Sequence, residues 1–230
     1  MIPKIIHQVW EGQDGPMPSL LKELSNTWKA HHPTWQYEFW NEERMTTFVK
    51  NNYPEFWDIY LSFPYDVQRW DSIRYLILYK IGGLYVDVDY ECLENIELLL
   101  ADRSCCFAME PDAHAKLFNK TIVFNNALMA SIPEHLFIKK VIEKVFSENR
   151  FQNDMSNKMT YVLNTTGPWM LEEIYNKFEN KDNIYLIPAK YVSPFTKMEA
   201  RAIIEGASSE VLENKLKEAC AVHYFLGLWV

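Results

Sequence analysis

Apolar and polar positions alternate along the chain with two periods, one of strands and one of helices. Residues 4–10 hold Ile5, Ile6 and Val9 in a β-favouring run, closed by the loop Glu11-Gly12-Gln13-Asp14-Gly15-Pro16. Leu20, Leu21, Leu24 and Trp28 then recur at helical spacing from Ser19 to His32, and Pro33 stops that helix. Trp35 to Trp40 alternates rings with polar residues and predicts a second strand, after which Asn41 caps a helix through residue 51. A short helix follows Pro54, and Pro64 opens a long one reaching Tyr79. Gly82-Gly83 ends it and starts a strand running Leu84-Tyr85-Val86-Asp87-Val88-Asp89-Tyr90. Strands are also predicted from Cys105 to Met109, Thr121 to Phe124, Ile184 to Ile187 and Ala221 to Phe225, with helices near 134–148, 167–178 and 207–219. Alternating β and α units without an internal repeat or linker predict one α/β domain with a mostly parallel central sheet.

Composition narrows the classes. With 230 residues, 48% hydrophobic and 23% charged, the chain is neither disordered nor fibrous and is long enough for one sizeable core. A net charge of −8 argues against a nucleic-acid partner, which needs a basic face to neutralise phosphates. Cys92, Cys105, Cys106 and Cys220 have no zinc-ligand spacing and read as buried reduced thiols. No signal peptide precedes the first strand and no 18-residue apolar window occurs, so a cytoplasmic protein is expected, with at most peripheral association at the inner membrane face. The 15% aromatic content suggests planar or sugar ligands.

The densest chemistry lies between Asp71 and Asp89. Strand periodicity would put Asp87 and Asp89 on one face with Cα atoms about 6–7 Å apart. Two carboxylates that close repel unless a cation lies between them or one is protonated. Hard oxygen donors of this kind suit Mg²⁺ or Mn²⁺, which can clamp a diphosphate. Asp71 and Arg74 share a face of the preceding helix, which is apolar nearly all round and hence buried, so the pair needs a partner or a function.

These segments resemble a known family, the glycosyltransferases with a DXD-containing sugar-binding region (family 32). The resemblance is carried by Ile2-Pro3-Lys4-Ile5-Ile6-His7-Gln8-Val9-Trp10 and Asp71-x-x-Arg74-Tyr75 … Gly82-Gly83-x-Tyr85-x-Asp87-x-Asp89. It continues through Asn126-x-x-Met129-x-Ser131-x-x-x-His135, Thr166-Gly167-Pro168 and His223-Tyr224-Phe225-x-Gly227-x-Trp229. The family includes the yeast initiating α-1,6-mannosyltransferase and bacterial capsule and lipopolysaccharide enzymes, and the glucosyltransferase domains of clostridial toxins look like distant relatives.

The resemblance implies a single GT-A domain over residues 1–230, its nucleotide-binding part at about 1–110 and its acceptor side and C-terminal lid at about 111–230. It implies a Mn²⁺- or Mg²⁺-dependent, retaining transfer of a hexose from UDP-galactose, UDP-glucose or GDP-mannose to a hydroxyl of a glycan acceptor, lipid-linked or free, in polysaccharide, capsule or lipopolysaccharide biosynthesis. By similarity Asp89 would ligate the metal, and Asp87 would reach it through water or contact the ribose and donor sugar. His223 would complete the metal shell or touch the phosphates. Asp71 and Arg74 would hold the donor sugar, Arg74 also near the diphosphate. Trp10 would stack on the base, Tyr85 would line the ribose pocket, and Trp229 would belong to the lid. Asn126 would face the reacting centre, with a turn-forming role as the competing reading. Leu228 stands where relatives carry Ser, which removes one potential leaving-group contact. A non-catalytic sugar- or nucleotide-binding module of the same fold, and a glycoside hydrolase using Asp87 and Asp89, stay open as alternatives.

Overall fold

A computed structural model describes residues 1–10, 16–147 and 157–227. Part of the expected loop (Glu11 to Gly15), Leu228 and Trp229 lie outside the described residues. Among the described residues there are eight strands: β1 (Ile5–Val9), β2 (Gln36–Trp40), β3 (Gly83–Val86), β4 (Tyr90–Cys92), β5 (Cys105–Met109), β6 (Phe124–Ser131), β7 (Tyr185–Ile187) and β8 (Ala221–His223). Six form a central sheet in the order β2-β1-β3-β6-β5-β7, while β4 and β8 pair antiparallel in a separate two-stranded sheet. Within the central sheet β1–β2, β1–β3 and β5–β7 are parallel, and β6 runs antiparallel to both β3 and β5. The expected mostly parallel α/β sheet is therefore present, with β6 as the reversed strand.

Both faces of the sheet are covered, so its central strands are buried throughout. Period two still sorts them. Tyr85 and Met129 point into one apolar layer with the helix Asp66–Lys80 and the helix Leu136–Val145, whereas Leu84, Val86, Leu128 and Ala130 point into the other with Trp28 and Tyr90. Ten residues of the Asp66–Lys80 helix are buried, Asp71 and Arg74 among them, as its all-round apolar pattern predicts. Its exit needs glycine. Gly83 has φ 105° and a Cβ there would lie 2.6 Å from the Ile5 carbonyl oxygen.

The sequence pattern misleads at three strands that matter for the site. The strand expected from Leu84 to Tyr90 breaks after Val86: the Tyr90 N–H turns back to the Asp87 carbonyl at 3.2 Å, and the chain resumes as β4 in the other sheet. Asp87 and Asp89 thus sit in a turn, not on one face of a continuous strand. Asp disfavours strand interiors and readily makes such turns, and this outweighs the β-branched neighbours. The strand expected from Thr121 to Phe124 instead begins at Phe124 and runs to Ser131. Asn125-Asn126 disguises its start, because asparagine is depleted in strands. The last expected strand ends at His223, before Tyr224 and Phe225. Helices at Asp112–Leu117, Lys158–Thr165 and Lys197–Ile204 were not expected, although Thr196 and Glu199 form a capping box that is legible as T-x-x-E. The three core thiols Cys92, Cys105 and Cys106 are free and buried, as expected, and Cys220 is free and half-buried.

Candidate active site

β1, β3 and β5 run in one direction, so their C-terminal ends share one edge of the sheet with the start of the reversed β6. Ligands of open α/β sheets bind along such an edge. A cavity of about 310 Å³ opens there, lined by Trp10 after β1, Asp87 and Asp89 after β3, Asn125 and Asn126 in β6, and Asp71, Arg74, Tyr85 and His223.

Its floor is a closed polar network. The Arg74 guanidinium lies 3.3 Å from Asp71 Oδ1 and 3.2 Å from Asp87 Oδ1, and it donates to the Asn126 carbonyl at 2.8 Å and the Trp70 carbonyl at 3.1 Å. It also stacks 4.6 Å over the Tyr85 ring, whose hydroxyl donates to Asp87 Oδ1 at 2.6 Å. Burial alone would lower the Arg74 pKa, but Asp87, Tyr85 and Asp71 hold it well above its ordinary value. Asp71 accepts from Asn126 Nδ2 (2.8 Å) on one oxygen and Thr166 Oγ1 (2.8 Å) on the other. Burial raises the Asp71 carboxyl above its usual range against the pull of Arg74, Thr166 and Asn126. Both oxygens of Asp71 are engaged within the protein, so it organises Arg74 and Asn126. Asn126 also donates to the Tyr75 hydroxyl at 3.0 Å and lies in β6, which removes the turn-forming reading and leaves it at the cavity.

The metal-ligating chemistry gathers one step away. One ligand atom each from Asp87, Asp89 and His223 lies within 4.8 Å of the others. The His223 imidazole, brought by β8 opposite Tyr90, stacks on the Tyr90 ring at 4.3 Å and places Nε2 3.4 Å from Asp89 Oδ1. Asp89 Oδ2 accepts the Leu226 N–H at 2.9 Å. Burial pushes the Asp89 carboxyl up, yet His223 and the Leu226 N–H bring it below the usual range. Burial would likewise lower His223, but Asp89 raises it. Asp87 is held up by burial and by Asp89, against Arg74. His223 Nδ1 is buried without a hydrogen-bond partner. Two hard carboxylates, an imidazole with an orphaned nitrogen, and a raised Asp87 fit a site that a divalent cation would complete.

Trp10 stands at the cavity's β1 end, packed beside Val88 and Tyr224, and its buried indole N–H has no partner. Trp229, assigned to the lid by resemblance, lies outside the described residues. Four participants escape sequence reasoning. Thr166 and Tyr75 complete the Asp71 network, and Glu110 and His114 line the cavity. Thr166 and Tyr75 stood inside quoted motifs, but the hydroxyl roles follow only from contacts across 91 and 95 positions.

Residues 18–107 match the glycosyltransferase sugar-binding region containing a DXD motif. The chain is 32% identical to the uncharacterized glycosyltransferase L373 of Acanthamoeba polyphaga mimivirus, over 84% of this chain and 74% of that one. This chain belongs to the DXD-containing glycosyltransferase family. It is 29% identical to inositol phosphoceramide mannosyltransferase 1 of Schizosaccharomyces pombe, over 77% of this chain and 52% of the relative. The chain thus spans about half the length of that mannosyltransferase. The solved PaToxG glycosyltransferase superposes with a TM-score of 0.57 at 13% identity, covering 94% of this chain and 84% of that one, and supports the GT-A fold alone. Within the family, the Asp87-x-Asp89 turn is the DXD element and the Arg74 network is its immediate support.

Proposed function

We propose that this protein is a metal-dependent, retaining glycosyltransferase that moves a hexose from a nucleoside-diphosphate sugar to a hydroxyl acceptor. The observation that carries the reading is the convergence of Asp87, Asp89 and His223 beside the buried Arg74 guanidinium in the cavity. The names of the relatives draw the donor towards mannose, hence GDP-mannose among the three candidates, and the acceptor towards an inositol-bearing lipid rather than a capsule or lipopolysaccharide. Mn²⁺ or Mg²⁺ held by Asp87, Asp89 and His223 would supply Lewis-acid neutralisation of the diphosphate.

The chain's own residues do the rest. Trp10 offers a flat ring to the base at the β1 end of the cavity. Arg74, fixed by five protein contacts, two of them to carboxylates, holds Asp87 and Asn126 in place beside the diphosphate and needs no rearrangement during reaction. The segment from Tyr224 to Gly227 crosses the site, with the Leu226 N–H on Asp89, and limits water at the reacting centre. Asp87 and Asp89 each already receive protein donors, which disfavours their use as the acid and nucleophile of a hydrolase.

Incubating the protein with Mn²⁺ and GDP-mannose, UDP-glucose or UDP-galactose tests this. Metal-dependent release of the nucleoside diphosphate is expected. Cleavage of aryl glycosides without metal, or nucleotide binding with no turnover against any polyol acceptor, overturns it. Asp89→Asn should weaken metal-dependent donor binding at least tenfold by calorimetry while the Tm stays nearly constant, since Asn can still accept the Leu226 N–H.

A further inference from the structure

The donor roles above occupy only part of the cavity. Along the sheet edge the order β1-β3-β6-β5 places Trp10, Asp87, Asn126 and then Glu110 in a row. Three strand spacings separate the first from the last, about 14 Å. Glu110 follows β5 directly, anchored by its N–H to the Val123 carbonyl at 2.9 Å. It therefore stands one strand beyond the Arg74–Asn126 network, on the side away from Trp10.

Its side chain is held by a relay of contacts. The Lys197 N–H can only donate, so His114 Nε2 accepts it at 3.1 Å and the imidazole proton sits on Nδ1. That Nδ1–H donates to Glu110 Oε2 at 2.8 Å. Phe225 of the C-terminal segment packs edge-on against the His114 ring at 5.2 Å. Glu110 and His114 are both almost nine-tenths buried, at 13% and 12% side-chain exposure, yet both line the cavity. Glu110 Oε2 is thus satisfied, whereas Oε1 has only Asn125 Nδ2, at the 3.5 Å limit of a hydrogen bond. A largely buried carboxylate oxygen without a good donor is costly unless a ligand supplies one.

We propose that Glu110 recognises a hydroxyl of the acceptor, a polyhydroxylated ring such as a sugar or cyclitol, and that His114 is the positioning residue that aims it. The proposal rests on the transferase reading, because only then does the cavity hold two substrates. The base, the diphosphate and the transferred sugar take the stations from Trp10 to Asn126, and the next acceptor oxygen along the row meets the second substrate. Glu110→Gln has a defined consequence. His114 Nδ1–H still requires an acceptor, so the amide oxygen turns to His114 and the NH₂ group faces the cavity, replacing an acceptor by a donor.

The test uses the full chain with Mn²⁺, the nucleotide sugar that wild type cleaves fastest, and methyl α-D-mannoside and myo-inositol as acceptor probes. Glu110→Gln is expected to lower the ratio of transfer to donor hydrolysis at least tenfold, through a raised acceptor KM, while the donor KM shifts less than threefold. His114→Ala should do the same, and His114→Asn should recover most of the loss because its Nδ2 replaces Nδ1–H. Glu110→Asp, which keeps the carboxylate, should fall between wild type and Gln. An unchanged ratio, a donor KM that rises with the acceptor KM, or equal losses after His114→Ala and His114→Asn overturns the proposal. So does a wild-type protein that hydrolyses donor but transfers to neither probe. Failure of the wild type to bind or cleave any nucleotide sugar defeats the transferase reading itself, a separate outcome.

Discussion

His7 shows how a single buried side chain fixes the base of the site. Trp40 Nε1 donates to its Nδ1 at 3.2 Å, and its Nε2–H donates to the Gly82 carbonyl at 2.9 Å, which locks the β1–β3 junction just before the DXD turn. The bond accepted from Trp40 needs a neutral ring, and burial lowers the His7 pKa from 6.5 to about 4, against the Gly82 carbonyl, which favours the charged form. The unfolded chain takes up this proton near pH 6.5 and the native protein only near pH 4. Stability therefore falls as pH drops through that window and changes no further below it for this group. The full effect is about 3 kcal/mol, and His32 and His135, also lowered by burial, act in the same direction. Urea unfolding between pH 4 and 7 should show this slope, and His7→Gln should flatten it. Gly83→Ala is expected to cost about 2–3 kcal/mol by urea unfolding, through the positive φ and the Ile5 carbonyl against its Cβ. Asp71 and Arg74 stood out in the sequence because charged residues interrupt a buried helix. Thr166 stood in a motif without a role and Glu110 did not stand out, since nothing local distinguishes a hydroxyl whose partner is far away in the chain or a carboxylate that the fold brings to the cavity.

At the scale of elements, the site depends on two short strands outside the main sheet. β4 and β8 bring His223 opposite Tyr90 and hang the following residues over Asp89. Phe225 takes φ 50° and Gly227 φ 64°, so the chain bends sharply on both sides of the Leu226 N–H. Leu226→Pro removes that donor and disfavours the Phe225 conformation. Metal-dependent nucleotide affinity should drop at least fivefold by calorimetry, while the Tm changes little because the segment lies at the edge of the core. Helical spacing made the Ser19–His31 helix legible, Pro64 and Gly82-Gly83 bracketed the Asp66–Lys80 helix, and Asn41 caps the Glu42–Asn52 helix as predicted by accepting the Arg44 N–H. The DXD turn was misread as strand because its alternating Val and Asp residues have the period of a half-buried strand, and only the pairing of β4 with β8 shows that the chain has left the sheet.

At the scale of the whole molecule, an acidic chain that takes an anionic donor, as proposed, needs a cation at the site. The net charge of −8 repels a diphosphate at long range, and Asp71 and Asp87 offset the charge of Arg74, so a divalent cation held by Asp87, Asp89 and His223 would have to supply the local positive field, where burial limits screening. Ligand binding should then register as global stability. The Mn²⁺ complex of the matching nucleoside diphosphate, as one ligand near 100 times its Kd, should add about 2.7 kcal/mol. For a chain of this size that is a Tm rise of about 5–10 °C, read by thermal unfolding and reversed by EDTA. Nucleotide without metal should give much less. Among the described residues no helix is long and apolar enough to cross a membrane.

By itself the sequence determined the α/β class, the burial of its long helices, the glycine-dependent entry to β3, and the residue types of the candidate site. These are legible because periodicity, capping and motif spacing act over a few positions. Tertiary structure alone decided that Asp87 and Asp89 occupy a turn, that β6 runs backwards, and that Asp71 is saturated by Asn126 and Thr166. It also placed Glu110 at the far end of the cavity from Trp10. Each of these is a pairing between segments tens of residues apart, set by sheet order and packing, and no local pattern encodes which distant partner a side chain will meet.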